Sequence, residues 1–331
     1  MIDDSLDEKL DLSSLAFCCS TVTDDIYTFT NNVIRKVNIT TDINEVIYEI
    51  SGDSNLAIPT GGKAIYISPD DSYIAITERY GLKAIIINLK TKSKVLDLTR
   101  IDYHSNHSQF SLAFTKVADK ILLIYTTTWN RLELFDLNDG KLLSWRSEIK
   151  YGDKYYLDYF HSELIPSPDG QFVIDSGWIW GPAGVPYLLD VSEWMKNPYQ
   201  SETPISVNIS DDVQLHCPCC WIDSKTFAVL HFKSDSMSEY GDPIEKLYMS
   251  LCETTGTIIK SILAETMSND IGTDCKLFFK ENLYFSSKKR TTVIDIHTLK
   301  KIDEYKNVHI IAYHDVAKKF IVNEHGKLNF R

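Results

Sequence analysis

Short apolar runs recur along this chain, and each is entered from a polar turn. Ser68-Pro69-Asp70-Asp71 leads into Tyr73-Ile74-Ala75-Ile76, and Ser167-Pro168-Asp169-Gly170 into Phe172-Val173-Ile174. Fainter copies place Asp24-Asp25 before Ile26, Ala118-Asp119-Lys120 before Ile121, Asp223-Ser224-Lys225 before Phe227, Lys280-Glu281-Asn282 before Leu283, and Val316-Ala317-Lys318 before Phe320. Between the anchors Ile26, Tyr73, Ile121, Phe172, Phe227, Leu283 and Phe320 the spacings are 47, 48, 51, 55, 56 and 37 residues, the interval of a propeller blade or a solenoid repeat. No long stretch carries the three-and-four apolar spacing of a helical solenoid, so the repeating unit is made of strands.

A second marker keeps the same time. After each anchor another apolar run ends in a polar turn, as in Asn88-Leu89-Lys90-Thr91, Asp136-Leu137-Asn138-Asp139-Gly140 and Asp295-Ile296-His297-Thr298. Each unit therefore holds about four strands, and the chain is predicted to be all-β: a seven-bladed β-propeller of four-stranded antiparallel blades. No Pro/Gly/Ser-rich linker interrupts the beat, which makes residues 1–331 a single expected domain. The last unit shows only three strands, Val308 to Tyr313, Lys319 to Asn323 and Lys327 to Phe330. Residues 1–14 are expected either to supply the missing one from Leu10-Asp11-Leu12, closing an open edge, or to form an acidic tail.

In Ser167-Pro168-Asp169-Gly170 proline presets φ for a tight turn and glycine tolerates the backbone needed to re-enter the strand. Such plain turns belong to one face of a propeller. The opposite face collects the irregular material: Asp102 to His107, Thr126 to Asn130, Tyr155 to His161, Asp175 to Pro182, His216-Cys217, and Lys233 to Lys246. Aromatic and histidine side chains concentrate there, and on a rigid scaffold they are the usual makings of a recognition surface. Trp129, Tyr155, Tyr156, His161, Asp175, Trp178 and Trp180, mainly from blades 3–5, are the candidate binding residues. The competing reading has Trp178 and Trp180 plugging between blades and the tyrosines covering the core edge. Within Asp175–Pro186, Gly177, Gly181, Pro182, Gly184 and Pro186 are not expected to form an ordinary hairpin ladder.

Charge narrows the partner classes. Lys and Arg number 34 against 46 Asp and Glu, a net charge of −12, which argues against a phosphate-backbone ligand. With no basic start leading into an apolar core and no run near 18 apolar residues, the chain reads as cytoplasmic, with neither nucleic acid nor membrane as partner. Seven cysteines, with Cys18-Cys19 and Cys219-Cys220 adjacent, make a poor disulfide framework. His216-Cys217-Pro218-Cys219-Cys220 has one Cys-x-x-Cys spacing beside a histidine, but a second such pair is absent, and packing outweighs zinc. Neither a metal nor a cofactor is expected.

The Ser-Pro-Asp-Gly turn with its apolar run at 167–174, and the Asp-Leu-Asn-Asp-Gly-Lys turn at 136–141, resemble bacterial WD40-like and YVTN-type β-propeller repeats over essentially the whole chain. No tryptophan is followed by aspartate and no Gly-His pair opens a blade, so the eukaryotic WD40 pattern is departed from. The resemblance implies a protein-interaction scaffold most often, and a lactonase-like or quinone-dependent enzyme occasionally. It carries no catalytic residues over. The leading expectation is a non-catalytic monomer that binds a protein or peptide. The alternatives are a metal-dependent hydrolase at the propeller axis, drawing on Asp158, His161, Glu163, Asp175 or His216, and a small-molecule or sugar binder using stacked Trp and Tyr rings. Nucleotide-loop, zincin and Gly-x-Ser-x-Gly signatures are absent.

Overall fold

The computed structural model describes residues 16–50, 62–181, 183–209, 217–237, 243–264, 275–324 and 327–331. Their strands form seven antiparallel sheets in which sequence neighbours pair, as hairpin-linked runs must. The first sheet is β1 (Ala16–Cys19), β2 (Asp25–Thr30), β3 (Val33–Asn38) and β4 (Asn44–Glu49). The second is β5 (Lys63–Ile67), β6 (Tyr73–Glu78), β7 (Lys83–Asn88) and β8 (Ser93–Thr99), and the third β9 (Leu112–Val117), β10 (Lys120–Thr128), β11 (Arg131–Asp136) and β12 (Lys141–Leu142). The fourth contains β13 (Phe160–Pro166), β14 (Phe172–Ile179), β15 (Ala183–Asp190) and β16 (Ile205–Ser206), with a short helix α1 (Val191–Trp194) before its last strand. The fifth is β17 (Cys219–Trp221), β18 (Thr226–Met237), β19 (Pro243–Glu253) and β20 (Ile258–Leu263). The sixth is β21 (Lys276–Lys280), β22 (Asn282–Ser286), β23 (Arg290–Ile294) and β24 (Lys301–Lys306), and the seventh β25 (His309–His314), β26 (Lys319–Glu324) and β27 (Lys327–Phe330).

The fold is an all-β, seven-bladed β-propeller. The expected closing strand or acidic tail at 1–14 lies outside the described residues. No helix among the described residues is long and apolar enough to cross a membrane.

Internal contacts gather into two compact units, residues 1–110 with 308–331, and residues 111–307. In the first unit, β6 and β7 read as nearly unbroken apolar runs because both faces are covered: Ile74, Ile76, Ile85 and Ile87 are buried with Ile34 of β3 and Phe29 of β2. The two ends of the chain share a cluster, Ile26 and Ile39 with Ile321, and His314 Nε2 lies 2.8 Å from the carbonyl oxygen of Asp25.

The Ser-Pro-Asp turns have one construction in both units. Ser68 Oγ donates to Asp70 and accepts the Tyr73 N–H at 2.9 Å; Ser167 Oγ donates to Asp169 and accepts the Phe172 N–H at 3.0 Å. The fourth residue is left-handed in each, Asp71 at φ 54° and Gly170 at φ 74°. Gly170 is required for a further reason, since a Cβ there would stand 2.3 Å from the carbonyl oxygen of Lys116.

The Asp-Leu-Asn-Asp turn after β11 is held by charge. Burial pushes the Asp136 carboxyl up, but the Lys120 ammonium and the N–H groups of Asn138 and Asp139 outweigh burial and hold it below the usual carboxylate range. A folded-state value below the unfolded one stabilises the fold above about pH 4 and loses that contribution as pH falls through the folded value. Asp136→Asn is therefore expected to differ most from wild type near neutral pH and to converge with it at acid pH, read from denaturation midpoints across a pH series.

In the second unit β12 has only two residues, so most of the outer edge of β11 has no strand to pair with. Side chains replace it. Ser144 Oγ accepts the Leu134 N–H at 2.8 Å, and the Arg146 guanidinium donates to the Leu132 carbonyl at 3.0 Å. Arg146 also reaches Glu133 at 3.1 Å and pairs with Glu202 of the 3-10 turn Gln200–Glu202, with all three side chains buried.

One expectation is corrected. Within Asp175–Pro186, residues 175–179 and 183–186 form a regular ladder: β14 and β15 pair from Phe172 opposite Asp190 to Ile179 opposite Ala183 without a register shift, Trp180 and Gly181 lie in the turn, and Pro182 is outside the described residues. The irregularity lies instead in the β13–β14 pairing, between Phe160 and Glu163. Gly177 makes room for a tyrosine, as described next.

Candidate functional site

The site is built on the hairpin ends of β10–β11 and β14–β15 and on the start of β13, all within the second unit. Tyr159, directly before β13, is fully buried and places its hydroxyl inside the ladder. The Gly177 N–H donates to Tyr159 Oη at 2.7 Å, and that hydroxyl lies 2.9 Å from the Asp175 carbonyl and 2.8 Å from the Val185 carbonyl. Burial pushes the Tyr159 phenol well above its ordinary range, with the Asp175 charge adding to it, so the hydroxyl keeps its proton as a donor. Gly177 permits this approach, because a Cβ there would stand 2.2 Å from the Phe160 carbonyl oxygen and 2.5 Å from the tyrosine ring. Tyr159→Phe would leave the buried Gly177 N–H and two carbonyls short of a partner. An expected loss of about 1–3 kcal/mol follows, checked by equilibrium denaturation.

Phe160 is the hub of the aromatic cluster. It faces Trp178 across the ladder with ring centroids 3.8 Å apart and planes 4° from parallel. Trp129, at the β10–β11 turn, tilts against it at 4.5 Å, and Trp180 meets it edge-on at 5.0 Å. Two hydrogen bonds to backbone carbonyls fix this arrangement: the His161 N–H donates to the Trp129 carbonyl at 3.0 Å, and the Asn130 side-chain Nδ2 to the Leu157 carbonyl at 3.1 Å. Trp129 and Trp178 thus meet at one end of their blades. Trp178 is only 3% exposed and acts as the buried floor, whereas Trp180 at the hairpin tip is 49% exposed.

His161 and Asp175 sit together beneath that cluster, both buried. His161 Nδ1 lies 2.5 Å from Asp175 Oδ2, and the other carboxylate oxygen accepts the Ser162 N–H at 3.2 Å. Tyr155 and Tyr156 are half-buried and belong to neighbouring pairs rather than to the tryptophan cluster. Tyr155 stacks on Tyr199 at 4.1 Å with Lys154 4.8 Å from its ring, and Tyr156 meets Tyr151 edge-on at 5.3 Å. Of the seven candidates, the structure brings Trp129, Trp178 and Trp180 into one group and His161 with Asp175 into another.

Two exposed aromatics between β12 and β13 escaped sequence reading. Trp145 is 75% exposed and Tyr151 86% exposed, in the segment between β12 and β13. Trp145 stands between Ser144 and Arg146, whose side chains are buried, so its backbone is clamped while its ring faces outward. The signal was present as one large apolar residue alternating with two polar ones, but nothing in the sequence marks the polar pair as the buried members.

The cysteine cluster packs. Cys217, Cys219 and Cys252 lie in one apolar core with Phe227 and Trp221, and Cys219 Sγ lies 3.0 Å from the Cys217 carbonyl. Burial pushes the Cys219 and Cys220 thiols well up, which disfavours the thiolate that metal binding or nucleophilic attack requires. His216 lies outside the described residues. Glu163 pairs with Lys276 at 3.1 Å, Asp158 is exposed, and among the described residues no three His, Cys, Asp or Glu side chains are placed to share an ion.

Comparisons with known proteins show architecture. Among solved structures, a chain of the Kuenenia stuttgartiensis hydrazine synthase superposes with a TM-score of 0.60 at 12% identity, covering 100% of this chain and 99% of that one. A chain from the crystal structure of a mitotic checkpoint complex gives 0.59 at 10% identity, over 97% of this chain and 89% of that one. The fold is shared. Identities this low carry no activity or partner across. No protein-family model matches the chain, and no curated protein does.

Proposed function

We propose that this chain is a non-catalytic propeller scaffold that binds a protein or peptide partner through the tryptophan cluster of its third and fourth blades. The observation that carries the reading is Trp180: half of it is exposed to solvent while its edge rests on the buried Phe160–Trp178 stack. A large ring held rigid before binding loses little freedom on docking, which is why such residues dominate interface energetics. Exposed Trp145 and Tyr151 extend the aromatic character of this unit. One structural neighbour is itself a chain of a protein complex, which is compatible with the reading. Within the same proposal the chain is a cytoplasmic monomer related to bacterial YVTN-type repeats, with the twice-repeated Ser-Pro-Asp turn as support and a net charge of −12 disfavouring nucleic acid.

Trp180→Ala tests it. The variant is expected to keep the wild-type unfolding temperature, because the ring leaves no cavity, and to weaken a partner recovered with the wild-type protein by at least about thirtyfold. Equal recovery with the variant would assign Trp180 to packing. Trp178→Ala is the contrasting case: removing the buried ring is expected to destabilise by about 3–5 kcal/mol, so a binding loss there would report unfolding.

A further inference from the structure

The outermost strands of four blades, β4, β8, β20 and β24, are six or seven residues long. Each is the last strand of its sheet, and each presents apolar residues to solvent. Three of them carry charges along the strand: Glu45 and Glu49 on β4, Lys94 and Asp97 on β8, and Lys301, Asp303, Glu304 and Lys306 on β24. Charges on an edge are how sheets discourage the addition of foreign strands. β20 differs. Its sequence Ile258-Ile259-Lys260-Ser261-Ile262-Leu263 has one charge, and the Lys260 ammonium is engaged with the His297 carbonyl.

The register of β20 shows which groups remain open. Ala264 donates its N–H to the Leu247 carbonyl at 2.7 Å, so residues of that parity face β19, and the backbone groups of Ser261 and Leu263 face away from it. Leu263 is 40% exposed, and Ile259, at the register shift between Lys260 and Ile258, is 54% exposed, with the exposed Ser261 between them. Among the described residues no strand pairs with this edge.

We propose that the outer edge of β20 is a second docking surface, one that takes an extended peptide segment of another protein by strand addition. An open run of alternating N–H and C=O groups is satisfied by another strand and by little else of regular structure. The apolar pair at 259 and 263 asks for apolar side chains at alternate positions of the incoming segment. A second copy of this chain is a poor occupant: two short edge strands cover far less than the roughly 1,000 Å² of a specific dimer, and two bodies of net charge −12 repel. The inference is independent of the tryptophan cluster, which lies on other blades.

The test uses the full chain and the synthetic probe acetyl-Lys-Val-Thr-Ile-Thr-Val-Lys-amide, with its backbone N-methylated counterpart as control. Amide exchange at Ser261 and Leu263, followed by NMR, is expected to slow at least about tenfold with the probe at about millimolar concentration, and to be unaffected by the methylated form. Ser261→Pro removes an outward N–H and keeps the backbone bonds to β19 while giving up the Ser250 hydroxyl contact, and Leu263→Lys places a charge on the edge; both are expected to abolish the protection at position 263, whose amide both variants retain. Protection absent in the wild type, or retained in both variants, would overturn the proposal. So would sedimentation showing a dimer of the chain alone that Leu263→Lys dissolves, since the edge would then belong to a second copy.

Discussion

Replacing Arg146 with alanine is expected to cost about 3–5 kcal/mol of folding stability, among the largest effects available to a single change in this chain. The guanidinium is wholly buried between the Glu133 and Glu202 carboxylates and also donates to the carbonyls of Leu132 and Ser144. Its removal strands the buried Glu202 carboxylate, leaves Glu133 with Arg131 as its one remaining guanidinium partner among the described residues, and reopens the part of β11 that β12 is too short to pair. Arg146→Lys is expected to recover only part of the loss, because a point charge cannot reach two carboxylates and two carbonyls from one planar fork. Chemical denaturation of wild type, Arg146→Ala and Arg146→Lys gives the order directly. A loss below about 1 kcal/mol in the alanine variant would show that the network is solvated rather than closed.

Gly177→Ala is expected to have a comparable effect by the opposite route, adding an atom instead of removing a charge. Its Cβ would lie 2.2 Å from the Phe160 carbonyl and 2.5 Å from the Tyr159 ring, and neither neighbour has room to move. Tyr159 is locked by three polar contacts, and Phe160 by its stack on Trp178. A loss of about 3 kcal/mol, at the upper end of overpacking costs, is expected in thermal and denaturant unfolding. The tryptophan cluster is expected to loosen with it, seen as a change in tryptophan emission under native conditions. Tyr159→Phe combined with Gly177→Ala should be less than additive, since both disturb the same contact.

Much of the fold was legible because its information is local. The anchors Tyr73 and Phe172 each follow a serine whose hydroxyl and a neighbouring aspartate close the turn, and that chemistry depends on adjacent residues alone. Alternation and interval then imply paired strands in repeating blades. The site was legible in its members but not in their roles. Trp129, Trp178 and Trp180 meet through Phe160, which the sequence presents as one more apolar residue of a strand. Burial separates Trp178 from Trp180 although they are two positions apart, because only Trp180 lies past the last pairs of the ladder. The misreading of Asp175–Pro186 has the same origin. Glycine and proline are breakers by local preference, and here Gly177 sits within the ladder because it admits the hydroxyl of Tyr159, the residue directly before β13. Arg146 was invisible for a related reason, since its partners lie 13 and 56 residues away.

A photo-crosslinking amino acid placed in turn at position 180 and at position 169 tests the central claim most directly. Position 169 lies in the Ser-Pro-Asp-Gly turn, at the other end of the same β14 strand. The account predicts a covalent adduct with one protein partner from position 180 and none from position 169. An adduct from 169 with 180 silent, in protein that unfolds at the wild-type temperature, would contradict it.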